Sequence, residues 1–342
     1  MQIFLELSET KAHESLWRDN MKRVAKPEGR YNIVIEEVDM PEMTATQVLV
    51  NTKVTLISRG SEIWRRYVQP GPIEHRMMGY SLTGTIEAVG NAVTKFAVGD
   101  RVAVVAPHAE YVVAEAAAPS LRPTVVHLPE TVSFEAGTFW PLTTSSVLWV
   151  QECGASSDDT LAILGQGLVG SLCMQTAKSD TGARVIAVDA LPLRCEFAKQ
   201  LGADAVVNAK AEDPVAAVRN LTDGAGADIV MEAVGGRSGA KAFEQAQDMV
   251  KSGGLIHIIG LYEDEPLPLN SSKIMGRRLI GGYLDRGQRP AGSEHALQLL
   301  AEREVQAEKM ITHRFPFIDA AEAFSLLYNR LGETLGVVLI WE

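Results

Sequence analysis

The stretch LAILGQGLVGSLCMQTA constrains this chain more than any other. An apolar run leads into Gly165-x-Gly167-x-x-Gly170, and an apolar helical run follows. A second apolar run, RVIAVD, ends in Asp189, 24 positions beyond Gly165. Strand, glycine turn, helix and strand ending in an acid form the context in which this spacing binds a dinucleotide. Gly165 permits the tight turn, Gly167 lets a diphosphate approach the backbone, and Gly170 lets helix and strand pack closely. Leu168 and Val169 open the helix, where unpaired N–H groups and the helix dipole favour phosphate. Asp189 is expected to accept hydrogen bonds from the adenosine ribose and to repel a 2′-phosphate, which favours NAD(H) over NADP(H). No arginine directly follows it; Arg194 lies five positions on, on the next helix.

The rest of the chain changes character around this motif. From Tyr31 to about Val126, short β-branched runs such as YNIVIEEV, TQVLVNTKVTLI and VGDRVAVVAP alternate with turn signals, which predicts an antiparallel, barrel-like region. From about Phe134 to Asp285, short apolar strands alternate with helices, which predicts a parallel sheet covered on both faces. The C-terminal part reads as helix, helix, strand. At 342 residues, two domains are expected.

The net charge of −11 argues against nucleic acid and anionic lipid as partners. No run approaches the roughly 18 apolar residues of a membrane span, and the N-terminus lacks the pattern of a signal peptide. Cys153, Cys173 and Cys195 have no CxxC spacing, so neither a disulfide framework nor a Cys₄ zinc site is expected. A reduced cytoplasm suits them.

With these motifs in place, the chain resembles the medium-chain dehydrogenase/reductase superfamily. The resemblance rests on GTIEAVGNAVTKFAVGDRVAV, the cofactor stretch through LGADAVVNA, GGLIHIIGL, and MITHRFPFIDAAEAFSLL. It implies an α/β protein: a GroES-like β-barrel catalytic domain from both chain ends (1–141 with 286–342) and a doubly wound parallel-sheet (Rossmann) NAD-binding domain (142–285). Homodimers or homotetramers are implied, with KIMGRRLIGGYL as a possible joining edge. Three positions resemble those of zinc ligands in metal-dependent members. Here they hold Arg59, Tyr80 and Trp140, none of which is a usual zinc ligand, and the four-cysteine structural lobe is missing. No metal is therefore expected. GDRVAV…PHAEYVV without zinc ligands is similar to the bacteriochlorophyllide dehydrogenase-like subgroup.

Without zinc, a general acid/base or a fixed cation must handle the hydroxyl proton and oxyanion. Ser61 matches the family's relay hydroxyl, with Trp64 where the relay histidine usually stands. Arg59 is either an oxyanion-stabilising cation or the partner of Glu62 or another local acid. Tyr80 is either a proton donor and acceptor or a packing aromatic. His108 is a proton-transfer candidate or a surface-turn residue without visible partner. The resemblance adds Thr144, Ala233, Val234, Gly260, Leu261 and Tyr283 as cofactor contacts near strand C-termini. The expected activity is NAD-dependent oxidation of a secondary alcohol or reduction of its ketone. Reduction of activated C=C bonds and NAD binding without catalysis are the alternatives.

Overall fold

The computed structural model describes residues 19–117, 120–260, 266–284 and 287–341. Two sheets organise them, apart from a two-stranded ribbon that pairs Asn20–Ala25 with Val34–Asp39.

The first sheet is built on one long strand, Gln47–Leu56, whose register carries three neighbours. Its first half pairs antiparallel with Tyr111–Glu115, its second half with Gly336–Ile340, and its other edge with Leu82–Val89. Arg101–Val104 and Val125–His127 extend the sheet on one side, and Ile311–Pro316 runs parallel to Gly336–Ile340 on the other. The two ends of the chain thus complete one layer. Trp341 locks the join by donating its indole N–H to Thr55 Oγ1 at 3.0 Å.

The second sheet is fully parallel, in the order Ala205–Asn208, Arg184–Asp189, Thr160–Leu164, Ala227–Glu232, Val250–Ile258, Arg278–Gly281. Its central strands are continuous apolar runs, as burial on both faces requires. The order reverses beside Thr160–Leu164, and the glycine motif emerges from that strand at the switch point where such sheets take their ligands.

The helix Trp140–Cys153, with ten of its fourteen residues buried, packs against the helices Leu168–Thr181 and Arg289–Ala301. Pro141 sits in its first turn and Gly154 ends it in the left-handed region at φ 66°, positions these two residues suit. A largely buried helix must satisfy its polar groups internally, and this one places its hydroxyl groups on its own backbone: Thr143, Thr144 and Ser146 each donate to the carbonyl four residues back.

The C-terminal region departs from the expected helix, helix, strand. Ile311–Pro316, ITHRFP, is a strand between the helices Arg289–Ala301 and Ala320–Asn329. Its half-exposed residues show no clean alternation, which is why the pattern did not announce it. Within KIMGRRLIGGYL, Arg278–Gly281 forms the last strand of the parallel sheet.

Candidate active site

The long strand ends in a nine-residue π-helix, Arg59–Tyr67. Ser58 and Glu62 fix its start reciprocally. Glu62 N–H donates to the Ser58 carbonyl, and Ser58 N–H donates to Glu62 Oε1, both at 2.8 Å, in the manner of a capping box one residue longer than usual. The second carboxylate oxygen accepts from His108 Nε2 at 2.8 Å, and both side chains are fully buried. His108 Nδ1 has no partner, so the imidazole proton belongs on Nε2, facing the carboxylate.

This pair corrects two expectations. His108 is not a surface-turn residue without a partner, and Glu62 is not the partner of Arg59. The pairing of Glu62 with His108 was not visible in sequence because 46 positions separate the two residues. Gly79 brings them together. At φ 107°, a Cβ there would lie 2.8 Å from His108 N and 2.9 Å from its Cδ2, so only glycine admits this approach.

Tyr80 follows directly. Its hydroxyl donates to Ser58 Oγ at 2.7 Å, and Ser61 also interacts with it. Burial raises the phenol pKa, with the Ser58 hydrogen bond working against that rise. Three hydroxyls, from residues 58, 61 and 80, therefore gather at one point. Ser58 is the member the sequence reading passed over, although its spacing to Glu62 marks a helix start.

Arg59 turns the other way. Its guanidinium lies 5.1 Å above the Trp64 ring and donates to the Leu327 carbonyl at 3.4 Å. Its pKa falls to about 10, first through burial, then through Arg194, with Asp189 opposing. The side chain thus stands within electrostatic reach of the adenosine end of the glycine motif, not among the three hydroxyls.

The motif itself has the geometry its glycines predict. Gly165 adopts φ 87°, and a Cβ would meet Val234 Cγ2 at 2.8 Å; a Cβ on Gly170 would lie 1.8 Å from the Gly165 carbonyl oxygen. At Gly167 the nearest obstacle is Arg194 Nη1 at 3.7 Å, so space is open there. The helix Leu168–Thr181 starts on Gly167 without a side-chain cap, leaving its first N–H groups to a ligand. Asp189 accepts from Gln166 N at 2.7 Å and Leu191 N at 2.8 Å, with Arg194 Nη1 at 3.7 Å. Ala233, Val234 and Gly260 gather around buried Glu232, whose Oε1 accepts from Val234 N at 2.7 Å. Burial raises the Glu232 pKa to about 8. These residues fit a nicotinamide dinucleotide.

Tyr283 follows the strand Arg278–Gly281, which pairs with Val250–Ile258. Its hydroxyl accepts from Arg289 Nη1 and its ring lies 6.5 Å from Trp149. Leu261 lies outside the described residues. The three cysteines are buried, and burial pushes Cys153 to about 11 and Cys173 to about 12, as expected of packing residues.

Two family models match the chain: the alcohol dehydrogenase GroES-like domain over residues 44–136 and zinc-binding dehydrogenase over residues 169–302. The chain belongs to the medium-chain dehydrogenase/reductase superfamily. It is 28% identical to an L-threonine 3-dehydrogenase of Bacillus subtilis, covering 94% of this chain and 98% of that one. It is 29% identical to a D-arabitol-phosphate dehydrogenase of Enterococcus avium, covering 89% and 93%. An alcohol dehydrogenase from Thermus sp. ATN1 shares the fold at a TM-score of 0.80 and 24% identity, covering 94% and 99%. A putative zinc-binding dehydrogenase from Sinorhizobium meliloti bound to NADP does so at 0.80 and 22%, covering 94% and 100%.

Zinc does not fit the positions that correspond to its ligands in metal-dependent superfamily members. Arg59 stacks on Trp64, Tyr80 donates to Ser58, and Trp140 donates its indole N–H to Ser293 Oγ at 3.0 Å. None is a thiolate, imidazole or carboxylate. Among the described residues no three His, Cys, Asp or Glu side chains group as metal ligands.

Proposed function

We propose that this protein is a zinc-independent, NAD(H)-dependent dehydrogenase that interconverts a secondary hydroxyl and its carbonyl. One observation carries the reading: the turn from Ser58 to Ser61 serves two sites. Ser58 and Ser61 hold the Tyr80 hydroxyl, while Arg59 between them reaches toward Asp189 and Arg194. A proton-handling cluster and the cofactor cradle therefore share one segment.

The cradle of Gly165, Gly167 and Gly170, with the N–H groups of Leu168 and Val169, holds the diphosphate. Asp189 takes the ribose hydroxyls, with Arg194 and Arg59 beside it. Thr144, Ala233, Val234 and Gly260 line the nicotinamide half. Bound nicotinamide dinucleotide supplies the hydride acceptor or donor. The chain's own task is the proton. The Tyr80 phenol is protonated near neutrality and so has a proton to give to a carbonyl oxygen during reduction; its raised pKa makes it a weak acid, so the proton must move together with the hydride. Reduction leaves a phenolate that regains a proton from water through the Ser58 and Ser61 hydroxyls, and in oxidation the phenolate takes the alcohol proton as hydride leaves and passes it out by the same hydroxyls. His108 faces Glu62 and positions this wall rather than touching substrate.

The relatives named for threonine and arabitol phosphate are dehydrogenases of hydroxyl-bearing small molecules, which supports this substrate class. The loss of zinc-type side chains supports placement near the bacteriochlorophyllide dehydrogenase-like members. The edge strand Arg278–Gly281 supports a homodimer or homotetramer, testable by light scattering.

The deciding assay supplies NADH with a ketone or an enone. Consumption of the ketone supports the reading; consumption of the enone alone replaces it with C=C reduction. Binding of NADH without turnover of either class indicates a non-catalytic NAD-binding protein. Metal analysis of the purified protein adds an independent check, since stoichiometric zinc would overturn the metal-free reading. A preference for NADP over NAD would overturn the role given to Asp189.

A further inference from the structure

Arg66, in the last turn of the π-helix that presents Ser61, has one guanidinium nitrogen without a partner. Its Nη1 atom is shut off from solvent and has no hydrogen-bond partner. Arg59 is engaged on Trp64 and the Leu327 carbonyl, and Arg194, whose Nε is likewise buried without a partner, stands 3.7 Å from Asp189 at the cofactor cradle. Glu62, one turn back on the same helix, has both oxygens committed to Ser58 N–H and His108. A guanidinium keeps its charge at any ordinary pH and offers a fork of donors that matches carboxylate or phosphate. A buried donor of this kind without a partner carries a desolvation cost that an anionic ligand would remove.

Two further observations locate the ligand. Arg66 lies one π turn beyond Ser61, on the segment that also presents Ser58, and it acts electrostatically on the Tyr80 hydroxyl. Ser81, next to Tyr80, is 1% exposed, and its Oγ also lacks a partner. Other buried atoms without partners lie about the glycine motif, on Gln166, Thr176 and Arg194; Arg66 and Ser81 are the two such donors associated with Tyr80.

We propose that the substrate of this site carries an anionic oxyacid group, a carboxylate or a phosphate ester, which Arg66 binds while Tyr80 meets the reacting oxygen. The proposal rests on the dehydrogenase reading and names the substrate class for it.

Matched pairs test it: 2-butanol against 3-hydroxybutyrate, and glycerol against glycerol 3-phosphate. The wild-type protein with NAD should favour the anionic member of at least one pair by about tenfold or more in kcat/KM, and the pair that shows the preference identifies the anion. Arg66→Met should collapse that preference, and Arg66→Lys should restore part of it. Equal use of neutral and anionic members by the wild type overturns the proposal without any variant. So does an equal loss for both members in Arg66→Met, which would make Arg66 a cation acting on the reacting oxygen. Calorimetry of 3-hydroxybutyrate and glycerol 3-phosphate binding to the NADH complex needs no turnover. Arg66-dependent binding without turnover would keep the anion site and sink the dehydrogenase reading. Turnover without anion preference would do the reverse.

Discussion

Replacing Glu232 by Gln should make the protein more stable, by an amount that grows from about pH 4.5 to about pH 8. The Glu232 side chain is fully buried at the carboxyl end of its strand, and burial lifts its pKa from an ordinary 4.5 to about 8. Below pH 4.5 the carboxyl is protonated whether the chain is folded or unfolded, and it favours neither state. Between 4.5 and 8 the folded protein holds a proton that the unfolded chain has released, so stability falls as pH rises through this window. Above 8 both forms are ionised and the loss is complete. At about 1.4 kcal/mol per pH unit, the loss approaches about 5 kcal/mol, a large part of the about 5–15 kcal/mol that holds a domain folded. Gln keeps an oxygen for the Val234 N–H and carries no charge. Urea denaturation of both proteins from pH 5 to 9 checks this, since the remaining carboxylates contribute equally and cancel in the difference. The difference should grow in favour of Glu232→Gln up to about pH 8 and then level off. Parallel curves across the range would refute the assignment of a raised pKa to this residue.

The cradle glycines should separate into two kinds. Gly170→Ala drives a Cβ to 1.8 Å from the Gly165 carbonyl oxygen and should cost about 1–3 kcal/mol in chemical denaturation. Gly167→Ala meets nothing closer than 3.7 Å; its stability should stay within about 0.5 kcal/mol while NADH binding, read by fluorescence titration, weakens at least about tenfold. Tyr80→Phe should lower kcat by about 10²–10⁴-fold with NADH affinity kept; an unchanged rate would remove Tyr80 from catalysis. Glu62→Gln should cost about 1–3 kcal/mol by disturbing a buried hydrogen-bonded pair, and an unaffected denaturation midpoint would show the pair to be dispensable.

What the sequence disclosed follows the range of the interactions involved. The glycine motif and the strand–helix alternation are local patterns, each legible within a short window, and the parallel sheet with its cradle followed from them. The identity of positions 59, 80 and 140 was legible through family resemblance. Their directions were not. Whether Arg59 faced a substrate or an acid depended on where Trp64, Leu327 and Asp189 come to lie, and those residues come from three parts of the chain. His108 looked solitary because its partner Glu62 is brought close only by the Gly79 turn. Ile311–Pro316 lacked strand periodicity because its pairing with Gly336–Ile340 places it at a sheet edge with mixed exposure. Contacts set by packing across the chain leave little trace in local pattern, and the acid–base neighbourhood of this site consists almost wholly of such contacts.

The same placement of charge makes cofactor capture a contest between two fields. The whole chain carries −11 and repels an anionic dinucleotide at long range. Beside the open space at Gly167, Arg194 and Arg59 provide two positive charges against the single carboxylate of Asp189. Salt screens the two unequally. With a Debye length of about 10 Å at 0.1 M ionic strength, repulsion spread over the surface fades first, while a partly buried guanidinium close to a phosphate is screened less. The NADH association rate, followed by stopped-flow fluorescence, should therefore rise on going from about 0.01 to 0.1 M salt. Arg59→Ala should slow association and speed dissociation at every salt concentration, since it removes the local attraction and leaves the global repulsion intact. A wild-type rate that falls steeply with added salt would mean that the local arginines govern the approach as well as the grip, and the overall charge would then have no part in cofactor capture.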